Sequence, residues 1–191
     1  MAGGQVLDIC TGSGLLALTA AGCGAARVVA VDVSRRALLA TRINAALNGV
    51  KVSVARGNLF DPVRSERFDL VASNPPYLPS ADGAVPEQGA ARAWEGGADG
   101  RLFIDGICAD VQLHLRPGGV LLLVHSSVCG EQQTLSMLAA RGLDASVIAR
   151  HRGPLGPRLA ARASQLTNRG IDLGDEEELL VFRAAKPHET P

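Results

Sequence analysis

The 191-residue sequence predicts an α/β fold, a sheet of parallel strands covered by helices on both faces. Short apolar runs alternate with segments whose apolar residues recur at helical spacing, the mark of repeated strand–helix units. Those runs are apolar throughout, as strands buried on both sides require. With 47% hydrophobic and 20% charged residues and Gly at 22 positions, the chain is neither disordered nor fibrous. A chain of this length buries a substantial core as one domain, and no repeat, low-complexity tract or linker divides residues 1–191.

The elements follow in order. Gln5 to Ile9 is the first strand, followed by a helix over Ser13 to Gly22. Val28 to Val31 is the second strand. Ser34 caps the next helix, whose Leu39, Ile43 and Leu47 recur at spacings of four before Gly49 stops it. Val50 to Val54 and Phe68 to Ser73 are the third and fourth strands. A long Gly/Ala/Pro segment, 78–98, leads to a helix with Phe103, Ile107, Val111 and Leu115 on one face. Arg116-Pro117-Gly118-Gly119 turns into a fifth strand, Val120 to Val124. A helix over Glu131 to Ala140, a strand over Ala145 to Ala149 and a last strand, Glu178 to Phe182, complete a Rossmann-like, seven-stranded sheet.

Charge and cysteines exclude some classes of function. Nineteen basic residues balance nineteen acidic ones, for a formal net charge of zero. A protein that grips long nucleic acid by neutralising phosphates is usually more basic, so nucleic acid is not favoured as a partner. Cys10, Cys23, Cys108 and Cys129 show no metal-ligand spacing. They read as reduced thiols in a cytoplasmic protein, with no metal site. The start, MAGGQVLDIC, has neither a basic leader nor an apolar run long enough for a signal peptide or membrane span.

Ligands of open parallel sheets bind beyond the carboxyl ends of the strands. That rule selects Asp8 to Gly14, Asp32, and Ser73 to Tyr77. "VLDICTGSG" is a strand ending at Asp8, a glycine-rich crossover and a helix, and its glycines let a ligand approach the backbone. Asp32, at the end of "VVAVD", is placed to accept hydrogen bonds from both ribose hydroxyls of a nucleoside cofactor. These two pieces leave NAD and S-adenosylmethionine as rivals. The third glycine of a dinucleotide fingerprint is replaced by Ala17, which favours the second.

"SNPPY" agrees. Two prolines cannot continue a ladder, yet they end an inner strand at Asn74. An amide or exocyclic amino nitrogen is a poor nucleophile because its lone pair is delocalised. The side-chain oxygen of Asn74 and the carbonyl of Pro75 can each accept one of its N–H bonds, holding the lone pair toward a methyl donor. Tyr77 offers an aromatic face to the planar group and its growing positive charge.

Together VLDICTGSG, AVDVS, GNLFDP, SNPPY and WEGGADGR resemble the HemK family, glutamine N5-methyltransferases that modify peptide-chain release factors. The resemblance runs from about Val6 to Arg183. Each motif occurs in many methyltransferases; the order and spacing of all five is far more specific. It implies S-adenosyl-L-methionine as cofactor. Asp8, Thr11, Gly12, Gly14 and Val33 would line it, Asp32 would hold the ribose, and Asn58 with Leu59 the adenine. Asn74, bordering both sites, would act with Pro75 and Tyr77 in catalysis. Asn74, Pro75, Pro76 and Tyr77 would take the glutamine, beneath a loop containing Trp94, Gly96 and Gly97. The last strand would run antiparallel beside the fifth.

Bacterial members usually carry an N-terminal helical domain that docks the release factor, whereas four residues precede the first strand here. The outline is nearer the short, single-domain branch of archaea and eukaryotes, which works with a small zinc-binding activator subunit. The Asn-Pro-Pro-Tyr clamp also suits an adenine-N6 methyltransferase or a small-molecule N-methyltransferase. A non-catalytic cofactor-binding subunit is the reading from another class, against which Asn74 and Tyr77 argue. Arg150, His151, Arg152, Arg158, Arg162 and Arg169 precede the acidic run Asp175 to Glu178. With the stripe Leu155, Leu159, Ala163 and Leu166 they read as a docked helix with a solvated arginine face, or as a rim for ribosomal RNA or an acidic partner. His114 and His125 read as structural.

Overall fold

The computed structural model describes residues 3–80, 82–87, 89–171 and 173–188. Seven strands form one sheet: β1 (Gln5–Ile9), β2 (Arg27–Asp32), β3 (Ser53–Arg56), β4 (Phe68–Ser73), β5 (Leu115–Ser126), β6 (Asp144–Pro154) and β7 (Glu176–Ala185). Their order is β3-β2-β1-β4-β5-β7-β6. The first five are parallel, and β7 runs antiparallel between β5 and β6. The helices are α1 (Leu15–Gly22), α2 (Arg35–Leu47), α3 (Leu102–His114) and α4 (Glu131–Ala140), with two short ones, α5 (Pro157–Ala160) and α6 (Ala163–Thr167).

Alternate residues of β1 point to opposite faces, and each face has its own core. Leu7 and Ile9 join Val71, Leu121 and Leu123 beneath Ile104, Ile107 and Val111 of α3 and Leu138 of α4. Val6, Val28, Ala30 and Leu70 pack against Ala17 of α1. A third cluster, Leu159, Leu166 and Leu173 with partly buried Leu78 and Leu155, sits at the carboxyl edge. Among the described residues no helix is long and apolar enough to cross a membrane.

Several sequence expectations need correction. Leu39, Ile43 and Leu47 are 57%, 51% and 79% exposed, whereas Leu38, Thr41 and Ala45 are the buried face of α2. The reason is close approach. A Cβ on Gly14 would meet the Thr41 Cγ2 at 2.8 Å, so this contact has room only for small side chains. The third strand starts later, at Ser53, and Leu115 opens β5 instead of closing α3. On α3 the buried residues include Ile104 and Cys108, with Phe103 only partly covered. Arg116 to Gly119 is carried inside β5 as an irregularity, where the register jumps from Phe68↔Leu115 to Leu70↔Val120.

β6 extends to Pro154, so Arg150 and Arg152 belong to a strand and pair with Glu178 and Glu176 of β7. The expected docked helix is broken into α5 and α6, although its apolar stripe does pack inward. Both histidines have structural places. His114 stacks on Phe60 with ring centroids 4.3 Å apart, and His125 stacks on Phe182 at the same separation. Burial lowers the His125 imidazole to about 4, keeping the buried ring neutral.

Candidate active site

The glycine turn is assembled around two carboxylates. Asp8 is 1% exposed at the end of β1. Its Oδ2 accepts from the Thr11 hydroxyl at 2.6 Å and from the Ala17 amide at 3.0 Å, tying strand, turn and α1 together. Its Oδ1 is buried with no hydrogen-bond partner among the described residues. Burial, outweighing those two bonds, pushes the Asp8 carboxyl up to about 7, and nearby Asp32 adds to the rise. A buried acceptor without a donor marks a place where a ligand donor fits.

Asp32 fixes the other side of the turn. One oxygen accepts from the Gly12 amide at 3.0 Å and the other from the Ser34 amide at 2.8 Å. Each oxygen keeps a further lone pair, which suits paired hydroxyls. Cys10, Gly12 and Gly14 have φ of 58°, 57° and 89°, so the chain doubles back with its backbone forward. Thr41 and Asn44 of α2 hold this turn from behind, donating to the carbonyls of Gly12 and Ser13. Val33 accepts from Arg56 at its carbonyl, and the Gly57 amide bonds back to Asp32, placing Asn58 and Leu59 beside β2. Leu59 takes φ of 44° and Asn58 is exposed.

Asn-Pro-Pro-Tyr leaves the sheet next to that turn. The register sets Ile9 opposite Ser73, and the buried Ser73 hydroxyl donates to the Ile9 carbonyl at 2.8 Å. Asn74 is exposed and Pro75 buried, with Pro76 and Tyr77 between. Behind the turn lies Gly100 at φ 80°, where a Cβ would strike the Tyr77 carbonyl and, at 2.9 Å, the Cys129 Sγ. That thiol also donates to the Tyr77 carbonyl at 3.1 Å. Asn74 to Tyr77 form one wall of a cavity of about 810 Å³.

Of the opposite wall, the sequence pointed to Trp94 but not to its arginine supports. Leu78 and Glu95 form a bridge, with the Leu78 amide bonded to the Trp94 carbonyl, so Trp94 is presented to the cavity. The Arg158 guanidinium lies 3.6 Å over its ring. Arg162 makes two bonds to the carboxylate of Glu95, at 2.6 and 3.0 Å, and a third to the Pro79 carbonyl. Arg169 bonds to the carbonyls of Ser80 and Ala98. The arginines expected on a solvated face therefore strap the 78–98 loop to α5 and α6. Gly96 and Gly97 are buried behind Trp94 and do not line the cavity. Glu177 of β7 completes the lining, and no sequence signal separated it from its acidic neighbours. Among the described residues no group of three or more His, Cys, Asp or Glu side chains is placed to hold a metal ion.

A family model described as methyltransferase small domain matches residues 1–90. A protein of Methanocaldococcus jannaschii named as a protein N5-glutamine methyltransferase is 33% identical over 162 residues, covering 85% of this chain and 82% of that one. This chain belongs to the protein-glutamine methyltransferase family. A release factor glutamine methyltransferase of Gloeobacter violaceus is 41% identical over 148 residues, 73% of this chain and 51% of its own. The chain thus spans about half the length of that bacterial member of the family. Among solved structures, the E. cuniculi Mtq2-Trm112 complex, responsible for methylating the eRF1 termination factor, superposes with a TM-score of 0.67. Identity there is 21%, over 97% of this chain and 87% of that one, a likeness of fold.

Proposed function

We propose that this methyltransferase uses S-adenosylmethionine to methylate the side-chain amide of a glutamine in a polypeptide, with a peptide-chain release factor as the acceptor. One observation carries the reading: Asn74-Pro75-Pro76-Tyr77 starts directly beside the glycine turn and walls a cavity of about 810 Å³, room for a side chain. Bound at the turn, the cofactor supplies an electrophilic methyl group. Asp32 fits its ribose hydroxyls, Asp8 Oδ1 fits a donor on its polar end, and Asn58 with Leu59 borders its base. The residues of this chain then orient the acceptor. Asn74 Oδ1 and the Pro75 carbonyl accept the two amide N–H bonds, and the proline pair keeps both oxygens aimed. The Tyr77 ring covers the plane of the amide. A small activator subunit and work in the cytoplasm belong to the same reading, and the E. cuniculi neighbour was solved as a complex of two named proteins.

The test uses methyl-labelled cofactor with a release factor whose target glutamine is intact or replaced. Transfer should require the intact glutamine. Asn74→Ala should leave cofactor affinity within a few-fold and lower turnover by about 100-fold, the size expected when a preorganised polar contact at the reacting centre is lost. Transfer that persists on the replaced acceptor, or moves to adenine in DNA or RNA, would falsify the assignment.

A further inference from the structure

Three consecutive glutamates of β7 have different surroundings. Glu176 pairs with Arg152 and Glu178 with Arg150, both on the neighbouring strand. Glu177, between them, points the other way, into the cavity walled by Asn74 and Tyr77. It has no cationic partner among the described residues. Its Oε1 accepts from the Gly156 amide at 2.9 Å and its Oε2 from the Ser126 hydroxyl at 2.8 Å. Among the described residues it is the one carboxylate lining the cavity, since Glu95 stands behind the wall, paired with Arg162. The other charged groups at hand are Arg158, laid over Trp94, and the Arg162 of that pair. A half-buried carboxylate held by two neutral donors and left without a cation retains its field for whatever enters the cavity.

We infer that Glu177 is the counter-charge of the methyl-acceptor cavity, facing the nitrogen as it becomes positive and receiving, directly or through water, the proton released there. The inference rests on the reading of amide methylation above. In that reaction the amide nitrogen bonds to the methyl carbon while the carbon–sulfur bond breaks, and its electron pair stays on sulfur. The nitrogen, now cationic, sheds one N–H proton to reach the neutral N-methylamide. A neutral amide and a sulfonium thus give a neutral amide, a thioether and one proton, and a base must take that proton. Asn74 and the Pro75 carbonyl hold the N–H bonds but are too weakly basic for the task. The field of Glu177 already reaches this wall: burial first, then Glu177 and Cys129, raises the Tyr77 hydroxyl above its ordinary value.

Glu177→Gln tests this with little change of shape, because an amide can still accept from Gly156 and can donate to Ser126. Turnover should fall about tenfold or more, with KM within about two-fold, the pattern of an interaction made in the transition state. Tyr77 is the chain's only tyrosine, so tyrosinate absorbance reads its titration directly. Its midpoint should fall in Glu177→Gln and hold in Ser126→Ala, which loosens the tether and keeps the charge. A loss of turnover with no shift of that midpoint overturns the inference, because Glu177 would then act only as a brace. Full turnover in Glu177→Gln, alongside collapse in Asn74→Ala, overturns this inference alone. Full turnover in both variants overturns the glutamine reading and the inference together.

Discussion

The two sides of the active cleft are built by different means. On the cofactor side, short hydrogen bonds link residues close in the chain: Asp8 to Thr11 and Ala17, Asp32 to Ser34. On the acceptor side the ties span long separations: 67 residues from Arg162 to Glu95, 89 from Arg169 to Ser80, and 51 from Ser126 to Glu177. The glycine turn is tied within residues 8–44, over at most 31 residues; the other side joins segments up to 89 residues apart. The first carries left-handed backbone at Cys10 and a buried acid at Asp8. The second is held in place by charge, with Arg162 on the carboxylate of Glu95.

The largest effect expected from this contrast belongs to Asp8. Its carboxyl is raised by burial to about 7, so the folded chain keeps a proton that the unfolded chain gives up near pH 4. Stability from this group is therefore full below about pH 4 and declines as pH rises through about 7, by about 4 kcal/mol in total. Urea unfolding from pH 4 to 8 should show that decline, and Asp8→Asn should remove it. Parallel pH profiles for the two proteins would show that the buried acid is not strained.

Arg162→Ala comes next. It strands Glu95, only 5% exposed, without its partner. The full cost of a broken buried pair is reduced here because the Arg162 side chain is 21% exposed, leaving roughly 3 kcal/mol. A loss below about 1 kcal/mol in denaturant titration would class the pair with surface bridges and remove the contrast between the two sides.

The smallest effect concerns α2. Leu39→Ser should change stability by less than about 0.5 kcal/mol, as exposed positions do. Thr41→Val should cost about 1 kcal/mol, since it leaves the Gly12 carbonyl without its donor. The reverse ranking in thermal melts would restore the leucines to the core.

What was legible follows the same division. Strand–helix alternation and the family are written in local patterns: apolar runs, a glycine turn, a proline-ended strand; the antiparallel last strand came with the family resemblance. The buried face of α2 was misread because hydrophobicity favours Leu39 and Ile43, while the tight approach at Gly14 selects Thr41. No spacing rule tells Arg162 from Arg150, since one finds its carboxylate in the 78–98 loop and the other across a strand pair. Glu177 is distinguished from Glu176 and Glu178 only by the face of β7 on which it falls.

The strand order has a consequence in time. Within the described sheet β6 touches only β7, and β7 is made after it. During synthesis the first five strands can pair as they emerge, while β6 must wait for its only neighbour to slide in beside β5. The glycine turn is therefore expected to mature before β6 and β7 complete the sheet and bring Glu177 to the cleft. Pulse-labelled hydrogen exchange during refolding checks this: amides of β1 and β4 should be protected early and those of β6 late, and simultaneous protection would rule out such staging. A chain halted before β7 would carry the glycine turn and Asn74 to Tyr77 but lack Glu177.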